Sequence, residues 1–252
     1  MASERQAIDK NDPWWGEHVH RYDEALKYIK NTDTVLDIAC GTGFGSHILA
    51  QNTEGVVVGG DIASDAVVLC QKSWQKENLQ FKVLDGTNLA FEDAYFDMVV
   101  SFETIEHTTQ YRKMLAEFRR VLKPNGYLIL STPNQKMTSP DSVIHNQYHT
   151  QEFHFDELEK LLKAEFTSVS LMGQYCSRYE KSIPTKPLAQ AVESLLLLRG
   201  VRKLPYSFRS GLMKSFFNIP LYNQPDDFNL SDNKAFVEAN CPVLFAICRK
   251  IV

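Results

Sequence analysis

Residues 35–45 read Val-Leu-Asp-Ile-Ala-Cys-Gly-Thr-Gly-Phe-Gly. The apolar run predicts a buried strand, the glycines predict a tight turn, and the residues after them predict the start of a helix. In open α/β sheets, a turn of this kind lies at the edge where ligands bind. The stretch therefore predicts an α/β fold with a ligand at this turn.

The pattern of alternating helices and strands continues on both sides of the turn. Helical spacing of apolar residues predicts a first helix over about 17–30. Further strands are predicted near 56–61, 81–84, 96–101, 127–131, 166–172 and 243–248. This alternation is typical of a doubly wound parallel sheet. Residues 177–238 do not follow it, and we interpret them as an insertion before the last strand rather than as an independent domain.

The residues near the turn favour a cationic adenosine ligand over a dinucleotide. A dinucleotide fingerprint has its third glycine where this chain has Ser46. Asp37 would repel a pyrophosphate by ~4 kcal/mol at 4 Å for an effective dielectric near 20, but it would stabilise a positive centre. Asp61 ends the second strand, where a carboxylate can accept ribose hydroxyls, and Asp85 ends the third, where it can accept an adenine amino group. S-adenosylmethionine, which carries a sulfonium and an ammonium group, fits all three carboxylates.

Four segments in this order resemble the class I S-adenosylmethionine-dependent methyltransferases, in particular the type 11-like enzymes that act on small molecules. They are 35–50, 58–61, 85–91 and 96–107, and the turn at 123–126 matches the next motif of that family. The resemblance implies a Rossmann-like, seven-stranded, mostly parallel sheet. It also implies one methyltransferase domain over residues 1–252 and S-adenosylmethionine as the cofactor.

The resemblance also implies which residues bind the cofactor. They are Asp37, Ala39, Gly41, Gly43, Asp61, Ile62, Asp85, Gly86, Phe102 and Glu103. Ile62 is expected to pack on the adenine, and Phe102 and Glu103 are expected to meet the methionine moiety. Ala39 stands where the family usually has its first glycine, and we expect its small methyl group to do little harm. Arg21 on the first helix can pair with the cofactor carboxylate, the alternative being an exposed salt bridge.

Methyl transfer to an alcohol needs a base, and two histidines are candidates. His107 follows the fourth strand at the ligand end of the sheet, although it can equally cap or pack the next helix. His149 lies in the long loop 132–154, and loops of this length are uncommon unless they are functional. Similar segments occur in methyltransferases that act on sugars. We therefore expect the acceptor to be a hydroxyl of a sugar, sugar nucleotide or lipid-linked glycan.

Other functions remain open at this point. The acceptor can instead be an amine, a quinone-like ring or a lipid, and the chain can be a non-catalytic cofactor-binding module of the same fold. A nicotinamide dehydrogenase is disfavoured by Asp37 and Ser46. The loop also holds candidate metal ligands, namely His145, His149, Glu152 and His154. Their neighbours are typical of a loop, so a helical histidine spacing is not assured; we assign none of these residues as a metal ligand, and metal dependence stays open.

The insertion at 177–238 carries a run of basic residues. They are Arg178, Lys181, Lys186, Arg199, Arg202, Lys203, Arg209 and Lys214. Together with the apolar stretch 192–198, they could lie on anionic lipid or bind a phosphorylated acceptor. The alternative is a substrate-side lid or a dimer surface with a solvated basic face, and we favour the lid.

The composition of the chain excludes several further classes of protein. A chain of 252 residues that is 44% hydrophobic is neither disordered nor fibrous. The five scattered cysteines form no CxxC pair and predict reduced thiols rather than a zinc site. A net charge of −4 gives no general attraction to nucleic acid. Because no apolar run is long enough to span a bilayer and no signal-peptide pattern is present, we expect a cytoplasmic monomer or homodimer.

Overall fold

A computed structural model describes residues 12–178, 186–197, 206–218 and 220–251. The strands are β1 (Val35–Ile38), β2 (Val57–Asp61), β3 (Leu79–Val83), β4 (Phe96–Phe102), β5 (Leu122–Pro133), β6 (Ser168–Cys176), β7 (Phe228–Ser231) and β8 (Val243–Arg249). The helices are α1 (Trp15–Leu26), α2 (Phe44–Gln51), α3 (Ser64–Ser73), α4 (Tyr111–Val121), α5 (Gln135–Thr138), α6 (Phe155–Glu165), α7 (Lys186–Leu197), α8 (Tyr206–Phe217) and α9 (Lys234–Asn240). Short 3₁₀ turns cover Ile105–His107 and Pro225–Asp227.

The strands form one sheet in the order β3-β2-β1-β4-β5-β8-β6-β7. The first five pair in parallel, and β8 runs antiparallel to β5 and to β6. This confirms the predicted Rossmann-like, mostly parallel α/β fold. The sheet has eight strands in the described chain rather than the predicted seven. The additional strand, β7, has only four residues with one of them buried, so it lacks the apolar run that marks the central strands.

The strands β1 and β2 are buried along their whole length, because helices cover both faces of a parallel sheet. The helix α4 packs Met114, Leu115 and Phe118 into the same core as the apolar side chains of β1 and β4. This spacing of three and four residues places one helix face on the sheet. The rigid core fixes the turns that follow the carboxyl ends of the central strands.

The described residues form two compact units. The first, residues 21–175 and 230–251, contains strands β1 to β5 and β8. The second, residues 12–20 and the described parts of 176–229, contains helices α7 and α8. Its small core is formed by Leu196, Met213, Leu221 and Tyr222. The single methyltransferase domain and the lid role of 177–238 stay predictions.

Two of the basic residues of the second unit are buried, which corrects the expectation of a wholly solvated basic face. Arg178 donates to the carbonyl of Pro220 and, over 3.1 Å, to Oδ1 of Asn223. Arg209 donates to the hydroxyl of Tyr222 over 3.1 Å. These guanidinium groups stabilise the unit internally. The exposed Lys214 fits the expectation, and Lys181, Arg199, Arg202 and Lys203 lie outside the described residues.

None of the helices in the described ranges has both the length and the apolar character needed to cross a membrane.

Candidate active site

The turn between β1 and α2 needs glycine at two positions for different reasons. Gly41 and Gly43 have φ of +57° and +79°, a left-handed conformation that disfavours any side chain. A Cβ on Gly43 would lie 2.8 Å from the ring of Phe81 and 2.9 Å from Sγ of Cys70. A Cβ on Gly41 would meet no described atom within 4 Å. The turn therefore packs tightly at Gly43 and is open at Gly41, where a ligand can approach the backbone.

Ala39 shares the left-handed conformation of these glycines. Its φ is +61° and the residue is exposed. A non-glycine residue in this region costs about 1–2 kcal/mol. The preference for glycine at this position thus has a backbone reason, and the alanine of this chain retains some strain.

Asp37 is buried beneath the turn rather than exposed to a ligand. It is 1% exposed, and its Oδ2 accepts a hydrogen bond from the hydroxyl of Ser46 over 2.6 Å. The Tyr22 hydroxyl lies 3.2 Å from Oδ1. Burial, together with the charge of Asp61, raises the pKa of Asp37 to about 7 against the hydrogen bonds that lower it. The direct contacts of this carboxylate are with Ser46 and Tyr22, so it can act on a bound cation only through its electrostatic field.

Asp61 joins the turn to the start of α3. Its Oδ2 accepts the N–H of Gly41 over 3.0 Å, and its Oδ1 accepts the N–H of Ala63 over 2.9 Å. Each carboxylate oxygen has a second lone pair, so the group can still accept two hydroxyls. The next residue, Ile62, is 72% exposed, which is unusual for a large apolar side chain. Asp61 and Ile62 together present a polar and an apolar surface side by side.

Asp85 follows β3 and is exposed. Its Oδ1 accepts hydrogen bonds of 2.8 Å from both the N–H and the hydroxyl of Thr87, which fix the carboxylate. Gly86 is buried, and a Cβ there would lie 3.1 Å from Cε of Met114. A side chain at this position would therefore require the flexible end of Met114 to move by a few tenths of an ångström.

Phe102 is the last residue of β4, and Glu103 follows it. The ring of Phe102 packs edge-to-face on Tyr22, with 4.9 Å between the centroids. Glu103 has a φ of +50°, a strained value for a residue with a side chain. Its Oε1 accepts the Ser131 hydroxyl over 2.6 Å. Strained backbone of this kind is concentrated at functional sites.

Arg21 lies in the interior. It is 1% exposed, its Nε donates to Oε1 of Gln174 over 2.8 Å, and its Nη1 is 3.4 Å from Oε1 of Glu103. This geometry favours the alternative that we left open, a salt bridge, although the bridge is buried rather than exposed. A contact from Arg21 to a cofactor carboxylate stays a prediction.

The two candidate histidines lie together although 41 residues separate them from one another. Their rings are edge-to-face with 5.0 Å between the centroids. The backbone of the loop is hydrogen-bonded to the 3₁₀ turn, since the N–H of Thr150 donates to the carbonyl of Glu106 over 2.8 Å. Nδ1 of His107 is 3.0 Å from the carbonyl of Tyr148. The loop thereby places His149 beside His107.

Two carboxylates flank the histidine pair. Oε1 of Glu152 is 2.8 Å from Nδ1 of His149, and both side chains are largely buried. Burial raises the pKa of Glu152, but hydrogen bonds from Thr138 and His149 hold that pKa below its usual value. Glu106 is fully buried, and burial followed by the charge of Glu103 raises its pKa well above the usual value.

Of the four metal-ligand candidates from the sequence, His145 and His154 do not belong to the contact between His149 and Glu152. Nε2 of His145 is 3.2 Å from both oxygens of Asp141, and both residues are exposed. His154 is the residue before α6. The four-residue metal set considered from the sequence is therefore not assembled, because of its members only His149 and Glu152 are in contact.

A family model described as a methyltransferase domain matches residues 29–191 of this chain. The chain belongs to the class I S-adenosylmethionine-dependent methyltransferases. The match confirms the resemblance seen in the sequence motifs.

Relatives and solved structures agree with this family. A probable S-adenosylmethionine-dependent methyltransferase of Mycobacterium tuberculosis (strain CDC 1551 / Oshkosh) is 30% identical over 171 residues, which are 67% of this chain and 61% of that protein. Phthiotriol/phenolphthiotriol dimycocerosates methyltransferase 1 of Mycobacterium ulcerans (strain Agy99) is 31% identical over 115 residues, 45% of this chain and 42% of that protein. The matched part thus spans less than two thirds of either relative. The structure of the YcgJ protein from Bacillus subtilis has the same fold, with a TM-score of 0.62, 19% identity and coverage of 93% of this chain and 100% of that one.

The residues at the turn fit S-adenosylmethionine, the cofactor of this methyltransferase family. The open face of Gly41 admits a ligand to the backbone, and the exposed Ile62 offers an apolar surface to an adenine ring. Asp61 retains acceptor capacity for ribose hydroxyls. The buried charge beneath the turn favours a cationic ligand over a phosphate.

Sequence reasoning missed several partners of these residues. Glu106 was not singled out, although it lies within the segment that follows β4 at the ligand edge. The hydrogen bonds from Ser46 to Asp37 and from Ser131 to Glu103 were also missed. The available signal was position at the end of a strand, whereas burial and pairing across the sheet needed the structure.

Proposed function

We propose that this methyltransferase transfers the methyl group of S-adenosylmethionine to a hydroxyl of a small molecule, with a sugar or glycan precursor as the first candidate. The observation that carries the proposal is the 2.8 Å contact between Nδ1 of His149 and Oε1 of Glu152. A buried histidine oriented by a carboxylate is suited to removing a proton. Hydroxyl acceptors need this help, because an alcohol is a weak nucleophile until it loses its proton.

We assign binding of the cofactor to the residues around the glycine turn. Asp61 accepts the ribose hydroxyls, Ile62 packs on the adenine, and Asp85 accepts from the adenine amino group. The negative charge of Asp37 stabilises the positive end of the cofactor through space. When bound, S-adenosylmethionine supplies an electrophilic methyl group on a sulfonium.

We assign deprotonation of the acceptor to His149, which lies beside His107. Because Nδ1 of His149 faces a carboxylate, the proton of the neutral imidazole belongs on Nδ1 and the lone pair on Nε2. The amide nitrogen of Asn146 lies 2.9 Å from Nε2, as a donor to that lone pair would. An acceptor hydroxyl that replaces this amide can give its proton to Nε2.

The test is a product assay with a panel of acceptors. Purified protein is incubated with S-adenosylmethionine and, in parallel, with sugar nucleotides, lipid-linked glycans, simple lipids with free hydroxyls and amines. Formation of S-adenosylhomocysteine is measured, and the new methyl group is located by NMR. We expect an O-methyl product with a sugar-type acceptor. Exclusive N-methylation, or turnover only with lipids, would contradict the finer assignment.

A matched pair of histidine variants tests the role of His149. His149→Gln should lower kcat by about 10²–10⁴-fold, the usual contribution of a general base, and should leave the affinity for S-adenosylmethionine unchanged. His145→Gln, in the same loop but exposed and paired with Asp141, should retain full activity. Equal activity of the two variants would remove His149 from the mechanism.

A further inference from the structure

Three side chains outside the cofactor-binding set converge on one point. Ligand atoms of Glu106, His107 and His149 all lie within 4.8 Å of one another. Glu106 is 0% exposed, and its Oε1 has no hydrogen-bond partner among the residues that the structure describes. This oxygen is 3.8 Å from Nε2 of His107. A buried carboxyl oxygen without a hydrogen-bond partner is costly, and a cation between it and the two imidazoles would stabilise the ionised form of the group.

Each of the three side chains is oriented by an outer partner, as protein ligands of metal ions usually are. The partners are Thr132 for Glu106 (Oγ1 to Oε2, 2.8 Å), the Tyr148 carbonyl for His107 (3.0 Å from Nδ1) and Glu152 for His149 (2.8 Å from Nδ1). With both Nδ1 atoms directed at oxygen acceptors, the lone pair of each neutral imidazole belongs on Nε2. A metal ion binds neutral imidazole through that lone pair.

We propose that Glu106, His107 and His149 bind a divalent transition-metal ion, and that this ion holds the acceptor hydroxyl during methyl transfer. Two imidazole nitrogens and one carboxylate oxygen suit Zn²⁺, Fe²⁺, Co²⁺ and Mn²⁺. Three protein ligands leave coordination positions for an oxygen of the acceptor. The inference rests on the hydroxyl acceptor of the proposed function, which it places on the ion, and it replaces the base role proposed there for His149 by that of a metal ligand.

Binding requires small movements of these side chains. Ligand atoms about 2.0–2.2 Å from one ion stand roughly 3–3.5 Å apart, so the cluster must close by about 1 Å. The amide of Asn146, 2.9 Å from Nε2 of His149, must turn away from that nitrogen. A neutral hydrogen bond to a half-buried loop residue is a weak competitor of a metal ion.

When the ion is bound, the two histidines act as metal ligands and no longer as bases. The acceptor hydroxyl binds the ion, and its O–H bond breaks with loss of the proton to water. The oxygen uses its electron pair to bond to the methyl carbon. The bond between the methyl carbon and sulfur breaks with its electron pair passing to sulfur, which turns the sulfonium into the neutral thioether of S-adenosylhomocysteine.

The test is a titration of the full chain with Co²⁺, followed by visible absorption, which needs no turnover. We expect one Co²⁺ per chain in the wild type and in the control His145→Gln. His149→Gln and the isosteric Glu106→Gln should bind Co²⁺ at least about tenfold more weakly, a typical loss for a perturbed metal site. Failure of the wild type to bind Co²⁺, or equal binding by all four proteins, overturns the proposed site.

Two further measurements keep the result interpretable. A substitution at the buried Glu106 can disturb folding, so His107→Gln serves as a second variant at a side chain that is 33% exposed. The Co²⁺ affinity of this variant should fall by a similar factor. Unchanged affinity of each variant for S-adenosylmethionine shows that the fold is intact. Full methylation of a hydroxyl acceptor by chelator-treated protein contradicts the role of the metal and supports the proposed function. Co²⁺ binding by a wild type that methylates only amines supports the site and contradicts the hydroxyl acceptor in both proposals.

Discussion

The turn that follows β1 and the histidine pair that follows β4 lie at the carboxyl ends of neighbouring strands, yet different forces position them. At the turn, backbone conformation and close packing around Gly43 decide the geometry within a few residues of sequence. At the histidine pair, hydrogen bonds between segments more than 40 residues apart bring His107 and His149 together. The cofactor end is therefore largely a local structure, and the acceptor end depends on how a long loop docks.

The largest expected effect tests the close packing and the backbone conformation of the glycine turn. Gly43→Ala introduces a Cβ into contacts of 2.8 and 2.9 Å at a φ of +79°. We expect a loss of about 2–4 kcal/mol in the free energy of unfolding, from backbone strain and overpacking together, and weaker binding of S-adenosylmethionine. Chemical denaturation and calorimetry measure the two quantities.

Gly211→Ala is the matched control for that variant. Gly211 lies within α8, and a Cβ there meets no described atom within 4 Å. Alanine is favoured over glycine in helices, so this variant should gain about 0.5–1 kcal/mol and keep its cofactor affinity. A Gly43→Ala protein as stable as Gly211→Ala would show that the turn is not held as tightly as described.

The next largest effect tests the contacts that position the histidine pair. Glu152→Gln removes the negative charge beside Nδ1 of His149 but keeps the shape of the side chain. We expect kcat to fall by about 10–100-fold while the affinity for S-adenosylmethionine stays the same, because Glu152 acts through His149. Loss of cofactor affinity in this variant would mean that the two ends of the site are not separable.

A third effect comes from the buried carboxyl group beneath the turn. The pKa of Asp37 is raised from 3.8 to about 7, so the folded protein keeps a proton that the unfolded chain has already lost. Stability should therefore fall as pH rises from about 4 to about 7, because the folded state binds more protons in that range. Each unit of raised pKa corresponds to about 1.4 kcal/mol at high pH, so Asp37→Asn should be more stable than the wild type at pH 8.

The same substitution should weaken the binding of the cationic cofactor by about tenfold or more, since the attracting charge is lost. In the wild type this affinity should rise with pH through about 7, whereas in Asp37→Asn it should be flat. Asp93→Asn, at an exposed carboxylate paired with Arg120, is the control and should change neither property. An unchanged pH profile in Asp37→Asn would rule out a role for this charge.

The smallest effect concerns Ala39. Ala39→Gly relieves a φ of +61° and should stabilise the protein by about 0.5–1 kcal/mol, because strain in the folded state outweighs the added freedom of the unfolded chain. Thermal unfolding measures the change. A less stable glycine variant would show that the alanine methyl group makes contacts worth more than the strain.

The comparison also explains what the sequence could predict. The strands, the glycine turn and the carboxylates at Asp61 and Asp85 follow from apolar runs and from the rule that parallel strands end at one edge. The buried contacts of Asp37 with Tyr22, and of Arg21 with Glu103, were not predictable because they depend on how α1 packs against the sheet. The strand β7 was missed because four residues carry too little pattern, and Glu106 because burial of a charged residue has no sequence signal.

The most direct test of the account is a calorimetric titration of S-adenosylmethionine into wild type, Asp61→Ala and His149→Gln. If the cofactor lies at the turn and the acceptor at the histidine pair, Asp61→Ala should bind about tenfold more weakly or worse, and His149→Gln should bind like the wild type. Unchanged affinity in Asp61→Ala, or a comparable loss in His149→Gln, would contradict this division of the site.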